Sequence, residues 1–232
     1  MNLEGTPYAL MPMRLADVPT VSAIEQVVFS LPWSASAFTY DLSNNPNAEY
    51  LVLRYLPWVV PERKESSLSR SVRRLFKPPQ EDPSLIGYGG LWMVLEEGHI
   101  CTLAVRPAWR GRGLGELLLA GLIERASERG AEVMTLEVRA RNITAQNLYL
   151  KYGFHVVGRR KGYYSDNRED ALIMSTDAIV SPAYRSKLAE LTARLHARLA
   201  QEATAPANAL GAPHLARCSE MESHSRGAEQ SP

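Results

Sequence analysis

Apolar and polar residues change their spacing several times along the chain, and each change marks an element. Residues 7–14 (PYALMPMR) alternate and predict an opening strand. From Asp17 the spacing becomes helical: Val21, Ile24, Val28 and Phe29 share one side, with Asp17 placed to cap the start. LPWSASAFTYDLSNNPN predicts a second helix, opened by Ser34 and stopped in the run Asn44 to Pro46. AEYLVLRYL reads as a strand, and SLIGYGGLWMVLEEGHICTLAV as two strands joined by a tight turn at Glu96–Gly98. A helix is expected from Gly113 to Arg129, a strand in AEVMTLEVRA, and a helix in NITAQNLYLKYG closed by Gly153. FHVVGRRKGYYSDNREDALIMSTD completes the series as a hairpin turning at Ser165–Asn167. The order βααβ, two strands, αβα, two strands implies a mixed α/β (α+β) fold, one mixed sheet with helices on both faces.

Three stretches fall outside that pattern. Residues 57–83 hold five prolines, and six basic against two acidic residues lie between Pro61 and Lys77, so they read as an insertion rather than a domain. Leu68, Val72, Leu75 and Phe76 with Arg70, Arg73, Arg74 and Lys77 could form a short basic amphipathic helix there; a solvated loop is the preferred reading. After residue 180, Leu188, Leu191, Leu195 and Leu199 make one stripe of a further helix, able to dock on this chain or on another. Residues 203–232 have few large apolar groups and are expected to be disordered. The expected division is a domain over 7–178, a helix over 179–202 and a tail over 203–232.

Composition narrows the chemistry. With 232 residues and a net charge of +1, the chain has no global charge to draw nucleic acid. No apolar run reaches the ~20 residues of a membrane span, and MNLEGTPYALMPMRLAD is not expected to be a secretory leader. Cys101 and Cys218 form no CxxC, which fits a reducing cytoplasm. The histidines show no HExxH and no GxSxG appears, so neither a metal site nor a serine nucleophile is expected.

Two features remain. Arg110, Gly111, Arg112, Gly113, Leu114 and Gly115 spell R-x-x-G-x-G between a strand and a helix. Glycines at a helix start let an anion approach the unpaired N–H groups of the first turn; an ordinary helix start fits the same letters. In AEVMTLEVRA, Met134, Leu136 and Val138 face one way, and Val133, Thr135, Glu137 and Arg139 the other. Inner strands are usually apolar on both faces, so Glu137 is out of place. Burial would raise its pKa toward that of a general base; a solvated face or an arginine partner is the alternative. In the next helix Ala145, Leu148, Tyr149 and Tyr152 share a side, with Asn142 placed to cap. Tyr149 reads first as a core aromatic, yet its helix follows the strand of Glu137 directly, so both could border one cleft.

ICTLAVRPAWRGRGLGELLL followed by LEVRARNITAQNLYLKYGF resembles the GNAT superfamily of N-acetyltransferases, and more narrowly its bacterial ribosomal-protein-alanine N-acetyltransferase branch. The carriers are a V-x-P strand end, R-x-x-G-x-G, L-E-V-R, N-x-x-A-x-x-L-Y-x-x-x-G-F, GYY and E-D-A-L-I-M, over residues 7–178 and most densely over 99–176. The resemblance implies a mostly antiparallel sheet, acetyl-CoA as co-substrate without a metal, and a protein N-terminus as acceptor. It implies that the loop Arg110 to Glu116 (Gly111, Arg112, Gly113, Leu114 and Gly115 included) holds the pyrophosphate. Leu103, Ala104 and Val105 would pair with pantetheine and Asn142 would contact the cofactor, with Glu137 as general base and Tyr149 as general acid. Acetylation of a lysine or a small amine, or acetyl-CoA binding without turnover, are the alternatives.

Overall fold

The computed structural model describes residues 5–58 and 81–204; most of the basic insertion and the tail lie outside the described residues. Seven strands make one sheet in the order β1-β2-β3-β4-β5-β7-β6. They are β1 (Tyr8–Pro12), β2 (Ala48–Tyr55), β3 (Leu85–Val94), β4 (Glu97–Val105), β5 (Val133–Arg139), β6 (Phe154–Tyr164) and β7 (Glu169–Thr176). Every neighbouring pair is antiparallel except β4–β5.

The helices are α1 (Val18–Val28), α2 (Ala35–Asn44), α3 (Leu114–Glu128), α4 (Ile143–Lys151) and α5 (Pro182–Thr204). Helices α1 and α2 cover one face, where Val21, Ile24 and Phe38 pack on Val52, Tyr88 and Ala104. Helix α3 covers the other, Leu119, Leu122 and Ile123 packing with Leu91, Met134 and Leu136. No helix among the described residues is long and apolar enough to cross a membrane.

The leucine stripe of α5 docks on its own chain. Leu195 and Leu199 are buried with Tyr8, Trp109, Leu114 and Leu117, and Leu188 and Leu191 pack on the α3–α4 side. Each fully buried leucine contributes roughly 1.5–3 kcal/mol. The Tyr184 hydroxyl donates to the Tyr152 carbonyl oxygen at 2.8 Å and fixes the other end of α5.

One expected cap is not made. Asp17 precedes α1, but its carboxylate accepts from the Arg14 N–H at 2.9 Å and pairs with Arg54 instead. The partly buried Arg54 offers a charge-assisted bond, stronger than a neutral cap.

Candidate active site

Among the described residues the β4–β5 pair is the only parallel neighbour pair, and it is incomplete. Its register runs from Glu97↔Val133 through Ile100↔Leu136 and stops there. The β3–β4 register slips at the same place: Thr102 faces Gly90 and Ile100 faces Leu91, so Cys101 is a bulged residue. Bulges end pairing and turn a strand. Beyond Cys101, Leu103, Ala104 and Val105 pair with β3 on one side only, and no strand among the described residues covers the other edge. Backbone N–H and C=O groups are left there for a ligand.

The glycine loop closes one end of this gap. Gly111 and Gly113 have φ of 77° and 78°, the left-handed region that side chains rarely adopt. Gly113 is the N-cap of α3 and has no side chain to cap it; the first intrahelical bond runs from the Leu117 N–H to the Gly113 carbonyl at 3.0 Å. The N–H groups of Leu114, Gly115 and Glu116 therefore have no partner in the helix and lie at its positive pole. A Cβ on Gly115 would meet only Leu103 at 3.8 Å and Leu148 at 4.0 Å, so this glycine keeps open a channel between β4 and α4. The loop's arginines turn elsewhere: Arg110 Nε donates to the Val105 carbonyl at 3.1 Å, and the Arg112 guanidinium lies 5.0 Å from the Trp109 ring centre. The Glu116 carboxylate accepts from Lys151 at 2.5 Å and from the Tyr152 hydroxyl at 3.1 Å, so only its backbone N–H is left for an anion.

Glu137 stands at the boundary between the paired and unpaired parts of β5, its side chain 12% exposed. The expected upward shift of its pKa is not what the structure gives. Its pKa lies below the usual carboxylate value, held down first by the hydrogen bond from His99 and further by the charges of His99 and Arg160, which outweigh burial. His99 Nε2 is 3.2 Å from Oε2, and Arg160 Nη2 is 3.1 Å from Oε1. The Thr135 hydroxyl donates to Glu97 and lies 2.9 Å from His99 Nδ1, which holds the ring with Nε2 toward Glu137.

Tyr149 is buried and packs on Phe154, ring centres 5.7 Å apart, in the cluster that contains Leu136 and Val138. Those residues leave β5 on the face opposite Glu137, so the carboxylate and the phenol belong to opposite sides of the sheet. Burial pushes the Tyr149 hydroxyl up to about 12. Asn142 caps α4, Oδ1 accepting from the Ala145 N–H at 3.2 Å. The Cys101 thiol is pushed up to about 12 by burial, which removes it as a nucleophile near neutral pH.

Four neighbours were not singled out by sequence. His99 and Arg160 reach Glu137 from β4 and β6, through strand pairings that local spacing does not encode. Tyr164, under the Arg139 guanidinium at 3.9 Å, is close enough for its charge to be felt by Tyr149 and to feel Glu137. Glu25 is buried at 1% exposure and accepts from the Trp33 N–H at 3.0 Å, from Thr102 at 3.3 Å and from the Tyr88 hydroxyl. It ties the α1–α2 connection to the unpaired part of β4. A signal existed, because Glu25 falls between Val21 and Val28 on the apolar side of α1.

The family model described as the Acetyltransferase (GNAT) family matches residues 33–154. A Haemophilus influenzae protein named ribosomal protein bS18-alanine N-acetyltransferase is 32% identical over 166 residues, 70% of this chain and 94% of that one. The crystal structure of the Escherichia coli ribosomal-protein-S18-alanine N-acetyltransferase matches at a TM-score of 0.56 and 27% identity, covering 73% of this chain and 92% of that one. Arabidopsis thaliana NAA60 in complex with acetyl-CoA shares the fold at a TM-score of 0.57 and 18% identity, covering 72% and 97%. A broken parallel strand pair beside a glycine-opened helix is thus set in a chain whose sequence and fold agree: it belongs to the GNAT acetyltransferase family.

Proposed function

We propose that the chain moves an acetyl group from acetyl-CoA to the α-amine of a protein N-terminus, the acceptor being the N-terminal alanine of ribosomal protein bS18 for which its relatives are named. The observation that carries this reading is the gap, where an uncovered β4 edge, an uncapped helix start and an ionised carboxylate meet.

The N–H groups of Leu114, Gly115 and Glu116 hold the cofactor diphosphate, and the channel kept open by Gly115 passes the pantetheine arm between Leu103 and Leu148. The β4 edge at Leu103, Ala104 and Val105 pairs with the arm's amides. One of its N–H groups donates to the thioester oxygen as negative charge develops there. The Asn142 amide N–H₂, not used in its cap, reaches the cofactor at the start of α4.

The amine nitrogen attacks the thioester carbon, the C–S bond breaks and the amine loses a proton. An α-amine has a pKa near ~8, so at neutral pH most of it is ammonium. Glu137, with its lowered pKa, takes a proton from that ammonium only uphill, so the ammonium gives its first proton to water and the neutral amine attacks. The transfer becomes downhill once nitrogen bonds to carbon and its remaining hydrogens turn acidic, so Glu137 acts as attack proceeds. Tyr149, at about 12, lies well above a thiol. Complete transfer to the leaving thiolate, whose acid has a pKa of roughly 8.5, is uphill by several kcal/mol. Tyr149 therefore donates a hydrogen bond to the departing sulfur, and the proton follows from water.

The test is mass spectrometry of the protein with acetyl-CoA and peptides that begin with alanine. Acetylation of the α-amine, and none on the same peptide with a blocked terminus and free lysines, is the expected result. Lysine acetylation beside an untouched terminus would overturn the acceptor assignment.

A further inference from the structure

Helix α5 lies wholly beyond the stretch that the family model matches, yet its last turns reach the glycine loop. Leu195 and Leu199, 2% and 0% exposed, seat that part of the helix firmly. They deliver Arg198 onto the first turn of α3: a Cβ built on Gly113 would fall 2.2 Å from its Nη2. The same nitrogen is 3.3 Å from Glu116 Oε2, while Lys151 Nζ is 2.5 Å from Oε1.

This arrangement is short of negative charge. Two cations share one carboxylate at the positive pole of a helix, where a cation costs about 0.3–1 kcal/mol. Both are close to half exposed, Lys151 at 43% and Arg198 at 47%, so a solute can reach them. Arg110 and Arg112, the loop's own arginines, are turned onto Val105 and Trp109. An anion in front of the loop N–H groups would complete the charge balance.

We propose that Arg198 is a phosphate-binding residue of the acetyl-CoA site, meeting the diphosphate held by the α3 N-terminus, with Lys151 on its other flank. The proposal rests on the reading that the cofactor binds at this loop. Glu116 then orients the two cations, and the C-terminal helix is part of the cofactor site.

The experiment compares kcat/KM for acetyl-CoA, 3′-dephospho-acetyl-CoA and S-acetylpantetheine in the full chain, for wild type, Arg198→Ala and Arg198→Lys. Arg198→Ala should lower the acetyl-CoA to S-acetylpantetheine ratio about tenfold, the lower range for a charge-assisted bond at a half-exposed site. The dephospho substrate should follow acetyl-CoA, and Arg198→Lys should recover most of the ratio. An unchanged ratio, with all three substrates falling together, makes Arg198 a structural brace and overturns the proposal. Loss confined to acetyl-CoA, with the dephospho substrate unaffected, moves the contact to the 3′-phosphate and overturns the diphosphate assignment. Tighter binding in Arg198→Ala makes the residue an obstruction. If Arg198→Ala melts early, Arg198→Lys and Arg198→Gln carry the same comparison. Calorimetry with desulfo-CoA separates the two layers: no wild-type binding sinks the cofactor reading and Arg198 with it, whereas wild-type binding beside an unchanged ratio sinks Arg198 alone.

Discussion

Strands β4 and β5 are two different objects along their length. From Glu97 to Ile100 on β4 and Val133 to Leu136 on β5 they form an ordinary parallel ladder, sealed by Met134 and Leu136 at 0% and 1% exposure. From Cys101 and Glu137 onward each keeps its outer neighbour and loses the other. The closed half is a core, in which the two strands are paired with each other. The open half lacks that pairing, and the fold has placed there a helix start that lacks its own. The lesson is that the candidate site is made by withholding structure: a bulge at Cys101 ends the β4–β5 pairing, and a glycine N-cap leaves the helix start without a side-chain cap.

The largest break in that contrast should come from Glu137, the first side chain past the ladder. Glu137→Gln keeps its shape and a hydrogen-bonding oxygen but cannot take a proton. A fall in kcat/KM of about 10²–10⁴ is expected. The deficit should persist as pH rises past the amine's pKa, because free amine supplied by solution serves both proteins alike and the proton that Glu137 takes leaves only as attack proceeds. A wild-type rate would hand the proton to water.

The next effect tests the helix start. Gly115→Asp places a carboxylate where only Leu103 and Leu148 lie near, in the first turn of α3. An acid there favours the helix by about 0.3–1 kcal/mol, so the melting temperature should hold or rise. Cofactor affinity should nevertheless fall by at least about tenfold through repulsion of the diphosphate. Calorimetry beside a thermal melt reads both; unchanged affinity would return the loop to a plain helix start.

Tyr149→Phe removes a hydroxyl from a ring that stays packed on Phe154. Because the phenol is a hydrogen-bond donor to sulfur in this reading, kcat should fall by about tenfold, the worth of one such bond to a charged atom, with cofactor affinity nearly unchanged. High pH should not restore it. A variant that turns over at the wild-type rate would leave Tyr149 as a core aromatic.

Much of this was legible in the chain. The alternation of β5 placed Glu137 on the face away from Met134, Leu136 and Val138, as observed, and the α4 spacing put Tyr149 and Tyr152 inside. The leucine stripe of α5 was equally plain. What could not be read is what meets across the sheet. Glu137 was expected to be raised by burial; its lowering depends on His99, 38 residues earlier but on the neighbouring strand through the pairing His99↔Thr135, and on Arg160 from β6. Periodicity gives a residue's face, not its partner's identity. For the same reason α5 was visible as a helix, while the landing of Arg198 on Gly113 depends on how α5 packs on α3.

The smallest predicted effect concerns that partner. His99 faces Glu137 with Nε2 and Thr135 with Nδ1; the other groups around the carboxylate are Arg160 at 3.1 Å and the Tyr164 phenol, with Glu97 beyond Thr135. His99→Gln keeps a hydrogen-bond donor near Oε2 and removes a positive charge. The sign follows from the causes of the shift. The His99 hydrogen bond and charge lower the Glu137 pKa, so their replacement by a neutral amide lets it climb toward the ordinary carboxylate value, with Arg160 still holding part of the depression. The acid limb of kcat/KM, which reports the free enzyme, should therefore move to higher pH in the variant. Near pH 8 Glu137 is ionised in both proteins, and the two rates should agree within about twofold, the scale left once protonation state no longer differs. Arg160→Gln should move the limb the same way, by less, because His99 is the larger cause. The measurement is a pH–rate profile with cofactor saturating. An acid limb that stays put in His99→Gln, while Glu137→Gln abolishes it, would show that the base titrates without its neighbour and that His99 only fills the closed half of the strand pair.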